Sequence, residues 1–367
     1  MQSTGVNLDR LRGHNDALVL DLVRTQEGLS RVDLAARTGL TAQAVSKIVA
    51  RLIEHGLLAE SGQAAPTVGK PRTLLRVVAD ARWSVGVHLD RDELRVVLAD
   101  LTGTVVRERR VPGPVADVAW IAAPVAELLA GVDPAKVIGI GVGCPGPLDH
   151  RTGVVHAATR LPGWHGVPLR EQLAQVTGLP VIVDKDTNAA VLAERWWQRE
   201  RFTHAALVYV GTGIGAGLVL DGQVHRGART NAGEFGHTTV QADGPLCPCG
   251  RRGCVEVLCG PAAVVGAGPD VLARFAALDP ADQRIRRASR LLGTAVLDLV
   301  NLLDLDHVVL GGRAAAPYLA EVERAVRDAG VSVALSELGP GSVAAGAATL
   351  PLAAYHPASA VPSAPHR

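Results

Sequence analysis

Aromatic side chains are scarce. Phe, Trp and Tyr make up only 3% of the 367 residues, although 48% of the chain is hydrophobic. Cores of useful size are affordable, but Val, Leu and Ala must fill them. Excess charge is also lacking: 37 Lys and Arg against 36 Asp and Glu leave a formal net charge of +1. A global pull toward nucleic acid is thereby excluded, and any such surface must be local. No unbroken apolar run is long enough to span a bilayer, so no membrane partner is expected. The first residues are polar and then charged, without the apolar stretch of a secretory signal. Cysteines number five, an odd total, and three share one short loop. That argues against a disulfide framework and for reduced thiols in a cytoplasm. Cys144 and Cys259, outside the loop, are expected as small buried residues. The length suggests two or three domains.

What is present centres on one loop, AGEFGHTTVQADGPLCPCGRRGCVE from Ala232. His237, Cys247, Cys249 and Cys254 are a suitable set for one tetrahedral metal. Thiolate and imidazole ligands favour Zn2+, and four protein ligands make the site structural. Pro245, Pro248, Gly250 and Gly253 mark tight turns that let the sulfurs converge. The alternative is buried thiols beside an unrelated histidine. Glu234 and Glu256 flank the ligands. Carboxylates fixed by a metal-tied loop can accept hydrogen bonds from vicinal hydroxyls, which sugars present; otherwise they are solvated loop charges.

Near the N-terminus the pattern predicts a mobile arm over 1–12 and an amphipathic helix over 13–27. Ser30 with Asp33 reads as a capping box opening a short helix that Gly39 ends. Thr41 caps a third helix, with Val45, Val49 and Leu52 on its buried side, and Gly56 terminates it. Leu57 and Leu58 begin an extended segment, and 73–78 reads as the returning strand. This is a winged helix-turn-helix, or else a small helical protein-binding module. In the first case the N-terminal residues of the third helix enter the major groove. Those are Thr41, Ala42, Gln43, Ser46 and Lys47. Gln43 suits a base edge, and Ser46, Lys47 and Arg51 suit phosphates. Lys70 and Arg72 belong to the wing. Residues 31–76 hold seven Lys/Arg against three Asp/Glu, the local excess that phosphate contacts need.

From Trp83 onward the pattern changes to an α/β one. Three strands are expected within 84–111, a helix over 121–129 and a buried strand over 137–143 ending in Cys144-Pro-Gly-Pro. A loop over 161–167, a helix over 169–177 and a strand over 181–183 follow. Such carboxyl ends are where α/β proteins place ligands. Asp184-Lys185-Asp186-Thr187-Asn188 stands at one of them, before a helix over 189–199. Asp186 sits where a general base would sit, or caps the helix. A strand over 205–210 leads into Gly211-Thr-Gly-Ile-Gly-Ala-Gly217, either a phosphate-binding run or a tight strand-to-strand turn. Helices are expected over 283–303, 317–329 and 344–352, with a strand at 307–312. The segment 356–367 is Pro/Ser/Ala-rich and expected to be disordered. No simple internal repeat is visible.

These residues resemble the ROK family (repressors, open reading frames and sugar kinases), and within it the NagC/XylR-like transcriptional regulators. Glu234-Phe-Gly-His237 with Cys247-Pro-Cys-Gly-Arg-Arg-Gly-Cys254-Val-Glu256 looks like the family's zinc and sugar signature. The segments 161–169, 186–194, 211–217 and 308–312 are similar as well. The resemblance implies an α/β, actin-like sugar-kinase fold, two lobes around a cleft, behind the N-terminal winged helix-turn-helix. The division expected is 1–80 for DNA binding, 81–190 for the first lobe with 342–356 packing back on it, 191–341 for the second lobe, and 357–367 as tail. By family pattern Asp186 is the kinase base position, and Glu234, His237 and Glu256 contact sugar hydroxyls. Two departures stand out. The family's Asp-x-Gly-Gly-Thr loop, which grips ATP phosphates, is here His88-Leu-Asp-Arg-Asp92. Its glycines are gone and two carboxylates would repel phosphate, which should abolish efficient phosphoryl transfer. The residue before the base position, usually a sugar-binding Asn, is Lys185. That suits an anionic ligand, or means that the sugar site has changed. The expectation is a sugar-responsive DNA-binding regulator with structural Zn2+, operator DNA and a sugar-like effector as partners. Two half-sites call for a homodimer or homotetramer. The alternatives are an active ROK hexose kinase with an added DNA-binding domain, and a zinc-stabilised regulator that senses no small molecule.

Overall fold

The computed structural model describes residues 8–26, 28–63, 72–113, 115–157, 161, 163–198 and 202–355. Lys70 and the tail 357–367 lie outside them. The chain opens with α1 (Leu8–Thr25), α2 (Arg31–Thr38) and α3 (Ala42–Glu54), then the strands β1 (Leu58–Gln63) and β2 (Thr73–Val77). The starting signals act as the sequence reads. Ser30 and Asp33 form a reciprocal capping box on α2, which Gly39 ends in a left-handed conformation. The Thr41 side chain caps α3 through the Ala44 amide. β1 and β2 pair antiparallel as a wing.

The first lobe is built from β3 (Trp83–Leu89), β4 (Glu93–Asp100), β5 (Val105–Pro112), α4 (Val118–Leu129), β6 (Val137–Cys144), β7 (Leu148–Asp149), β8 (Val154–Ala157), β9 (His165–Val167), α5 (Leu169–Thr177) and β10 (Val181–Lys185). Its main sheet has the order β10-β6-β3-β4-β5. The first three strands in sequence form an antiparallel meander, and β6 and β10 join parallel to β3. The segment expected as a loop over 161–167 instead supplies β9, which pairs with β8.

A helix, α6 (Asp186–Trp197), then crosses to the second lobe. That lobe contains β11 (Ala205–Val210), β12 (Ile214–Leu220), β13 (Gln223–Val224), α7 (Val255–Cys259), α8 (Pro261–Val265), α9 (Val271–Ala276), α10 (Gln283–Leu303), β14 (His307–Gly311), α11 (Leu319–Val326) and β15 (Ser332–Leu335). Its sheet order, β13-β12-β11-β14-β15, repeats the first: a meander, then two strands parallel to the meander's first member. The same topology thus occurs twice, a repeat the sequence hides. The helix expected over 317–329 is divided, with single 3-10 turns on both sides of α11.

The last helix, α12 (Ser342–Tyr355), returns to the first lobe and lies along β3, β6 and α6. Glycines permit the approach: a Cβ on Gly346 would overlap the Ala189 carbonyl oxygen, and one on Gly141 that of Ala347. The end of α12 goes further. Leu352 and Ala353 share one buried cluster with Val19, Leu34, Val45 and Leu52 of the N-terminal helices and with Trp196 of α6. The N-terminal unit is therefore fused to the lobes by a common core.

Candidate effector cleft, metal loop and DNA-binding face

Parallel pairing aligns the carboxyl ends of β3, β6 and β10. His88 lies opposite Gly143, and Lys185 opposite Cys144. Lys185, Asp186, Glu234, His237 and Glu256 all line one cavity between the lobes, joined by Asp90, Tyr209 and Thr212. Asp186 is the first residue of α6, not its cap, and its carboxylate accepts from the Thr187 amide at 2.7 Å. Burial raises its pKa against the pull of Lys185 and His88. Glu256 Oε2 accepts from the Ile214 amide at 3.1 Å, which ties the metal loop to β12. Lys185 Nζ lies 2.5 Å from Glu234 Oε1. Gly233, at φ 76°, lets the backbone before Glu234 rest on β12, where a Cβ would overlap the Ala216 carbonyl oxygen.

The glycine run splits in two. Gly211 and Gly213 form the β11–β12 turn, their backbones hydrogen-bonded at 2.9 Å. Gly215 and Gly217 are strand residues, and Gly217 admits Thr187 of α6 where a side chain would collide.

Across the other side of the cleft, His88-Leu-Asp-Arg-Asp92 ends β3 and turns into β4. Arg313, directly after the Gly311-Gly312 pair of β14, reaches over from the second lobe. Its Nη2 lies 2.9 Å from Asp90 and 2.5 Å from Asp92, and its Nη1 lies 3.6 Å from Glu93. Thr212 Oγ1 donates to Asp90 at 3.0 Å. Burial opposes ionisation of Asp90, yet His88, Arg313, the Arg91 amide and the Thr212 hydroxyl outweigh it and hold the carboxyl low. Burial pushes the His88 pKa down, against the pull of Asp90, Asp186 and Glu93. Sequence reasoning missed Arg313, Thr212 and the neighbouring Arg226–Asp184 pair at 2.7 Å. A charged residue straight after a strand-ending glycine pair is the one signal that pointed to Arg313.

In the metal loop, Cys247 Sγ lies 3.5 Å from His237 Nδ1, and Cys249 Sγ 3.6 Å from Cys254 Sγ. All four donor atoms fall within 4.8 Å of one another. Ligands on a tetrahedral zinc ion, at about 2.0–2.3 Å, stand about 3.3–3.8 Å apart. The cluster therefore has the size and the donors to hold such a metal. Cys247 and Cys254 are buried, Cys249 exposed. Burial pushes the Cys247 thiol up to about 12, whereas the Arg251 amide draws Cys249 down to about 6. Cys144 and Cys259 are buried in the lobe cores.

On the N-terminal unit, Thr41, Ala42, Gln43, Ser46 and Lys47 form an exposed face at the start of α3. Arg51 departs from expectation: a bidentate ion pair with Asp16 turns it onto α1, away from that face. Arg72 is exposed at the base of the wing, 3.2 Å from Asp33.

A winged helix-turn-helix fused to a two-lobed kinase-type cleft with a Cys/His loop defines a class of ligand-linked DNA-binding proteins. Residues 84–350 match the ROK family profile, and residues 12–65 match the MarR family profile. The chain belongs to the ROK family. It is 28% identical to the xylose repressor of Caldicellulosiruptor bescii over 336 residues, 83% of this chain and 84% of that protein. A solved ROK family transcriptional regulator, a homologue of the E. coli MLC protein, superposes with a TM-score of 0.75 at 25% identity, covering 95% of this chain and 98% of the other. A ROK glucokinase from Streptomyces griseus, solved with glucose and AMPPNP, gives 0.62 at 26% identity over 73% of this chain and 98% of its own. The kinase likeness leaves out the DNA-binding unit; the regulator likeness includes it.

Proposed function

We propose that this chain is a sugar-responsive transcriptional repressor: the winged helix binds operator DNA, and a sugar or sugar derivative in the cleft changes that affinity. The observation that carries the reading is the shared core. α6 begins at the cleft residues Lys185 and Asp186 and ends with Trp196 under the N-terminal helices. A ligand shifts operator affinity only through unequal affinity for two protein shapes, and a helix joining both sites supplies a physical link. Thr41, Ala42, Gln43, Ser46 and Lys47 face the operator, with Lys70 and Arg72 from the wing. Gln43 reads a base edge, and Ser46 and Lys47 meet phosphates. Glu234, His237 and Glu256 receive the effector's hydroxyls, with Asp186 beside them. Zn2+ in the His237, Cys247, Cys249 and Cys254 cluster fixes the loop that presents them. Two operator half-sites imply at least a homodimer. Free thiols, with no helix among the described residues able to cross a membrane, fit a cytoplasmic regulator.

A local observation weighs against the kinase reading. Phosphoryl transfer needs nucleotide phosphates gripped and neutralised. Here Arg313 is committed to Asp90 and Asp92, and Asp186, though kept as the base position, has no phosphate loop opposite it. Repression is tested by selecting DNA from a random pool with the purified protein. Sugars and sugar derivatives are then titrated into the complex while fluorescence anisotropy is followed. A selected operator and an effector-dependent loss of anisotropy are expected. Hexose-dependent ATP turnover at ordinary kinase rates would reverse the assignment.

A further inference from the structure

Among the acidic groups of the cleft stands one lysine. Lys185 Nζ lies 2.5 Å from Glu234 Oε1 and donates to the Ala232 carbonyl at 3.2 Å. Those are two of the three donors that an ammonium carries, and both acceptors belong to the opposite lobe. The cavity they border measures about 70 Å3. Ligand pockets begin at roughly 300 Å3, so a sugar calls for a wider cleft, and parting the lobes breaks the contact that spans them.

The two partners do not give way equally. The Lys185 side chain is 5% exposed and that of Glu234 is 42% exposed. A half-exposed carboxylate returned to water loses little. A buried ammonium stripped of its counter-charge is strongly destabilised. Two nearby carboxylates are engaged elsewhere, Asp184 by Arg226 at 2.7 Å and by Asn188 at 2.8 Å, and Asp90 by Arg313 at 2.9 Å. Asp186, which Lys185 also attracts, accepts from the Thr187 amide, and burial works against its charge. Any incoming molecule must therefore satisfy Lys185 rather than Glu234.

We propose that the effector brings its own anionic group, which replaces Glu234 on Lys185, and that Lys185 is the residue selecting a sugar acid or sugar phosphate over a neutral sugar. The proposal rests on the reading of the cleft as an effector site. Glu234, once released, turns to the ligand's hydroxyls or to water, and the ammonium stays paired throughout. The exchange also breaks the ion pair between the lobes, so the same step admits the ligand and loosens the cleft.

The test is calorimetric titration of the full-length, zinc-loaded protein with matched probes: glucose against gluconate and glucose 6-phosphate, xylose against xylonate, galactose against galactonate. At least one anionic probe is expected to bind tenfold or more tighter than its neutral parent. The carboxylate and phosphate arms identify which anion is preferred. K185N should abolish the preference, K185R should keep it, and E234Q should strengthen anion binding by removing the competitor. Neutral sugars binding as tightly as every anionic probe, or a preference that survives K185N, overturns the proposal and leaves the cleft as a site for neutral sugars. Failure of all probes to bind any of the four proteins overturns both the proposal and the sensing role beneath it.

Discussion

Arg313 illustrates how one side chain can tie two lobes together across a cleft. Its guanidinium joins three carboxylates of the first lobe, and two of them, Asp90 and Glu93, are buried. Removing it as R313A leaves Asp90 without its cationic partner, while Glu93 keeps Arg110 at 2.7 Å and Arg95 at 3.3 Å. The loss costs about 3 kcal/mol, measurable in chemical denaturation at pH 7. The pH dependence follows from the carboxylates. Asp90 and Glu93 are held below their ordinary ranges in the folded protein, against the effect of burial. Their contribution is present above the unfolded pKa values, near 4, and is lost as pH falls through the lower folded values. The stability gap between wild type and R313A should therefore close below about pH 4; a gap that stays constant to pH 2 would contradict this account. On the recognition helix, K47A should weaken binding to all DNA sequences alike and lower the salt slope by about one. Q43A should cost about 1–3 kcal/mol and relax preference at one base pair. Binding isotherms at several salt concentrations separate the two. The exposed placement of Gln43 and Lys47 was legible because α3 announces itself by its cap and spacing. The turning of Arg51 onto Asp16 was not, because that contact depends on how α1 packs.

At the scale of elements, α6 and α12 connect the cleft to the core under the N-terminal helices. The twelve residues of α6 span about 18 Å, from Asp186 in the cleft to Trp197, and the Trp196 carbonyl accepts from Arg24 at 3.2 Å. The Arg24 guanidinium stacks 3.9 Å over the Trp196 ring and pairs with Asp21 at 2.8 Å. Burial lowers its pKa to about 10, still charged at neutral pH. R24K keeps the charge for Asp21 and loses the planar stack. Its operator affinity without effector should stay within about threefold of wild type, while the effector-induced change shrinks severalfold; an undiminished response would exclude this joint as the route. None of this was readable from the sequence. Arg24 and Trp196 are 172 residues apart, and neither position carries a local pattern naming the other. The helices themselves, capped and spaced regularly, were readable. The short α7, α8 and α9 were not, since five or six residues are too few to establish a period.

Over the whole molecule, the sequence was most informative where covalent proximity does the work. His237 and the three cysteines fall within eighteen residues of chain, so residue type and spacing sufficed to foresee their convergence. The interlobe pairs are assembled by topology, and the twofold use of one sheet plan shows only once the strands are paired. Chelation tests what the metal loop contributes. Removing an ion held at a thousandfold excess over its Kd withdraws about 4 kcal/mol, which lowers Tm by roughly 5 °C in a chain of this size. Since Glu256 is tied to β12 and Glu234 stands three residues before His237, effector binding should be lost with the metal and return on adding Zn2+. Calorimetry and scanning fluorimetry on the same samples check both effects.

The placement of α12 has a consequence for how the molecule comes into being. Its residues complete the inner face of the first sheet and finish the core beneath the DNA-binding helices. A chain still on the ribosome, or one cut short after β15, leaves that face bare. Truncation before Ser342 should therefore loosen the seating of the DNA-binding helices as well as the first lobe, so that what the N-terminal unit rests on is supplied from the far end of the described chain.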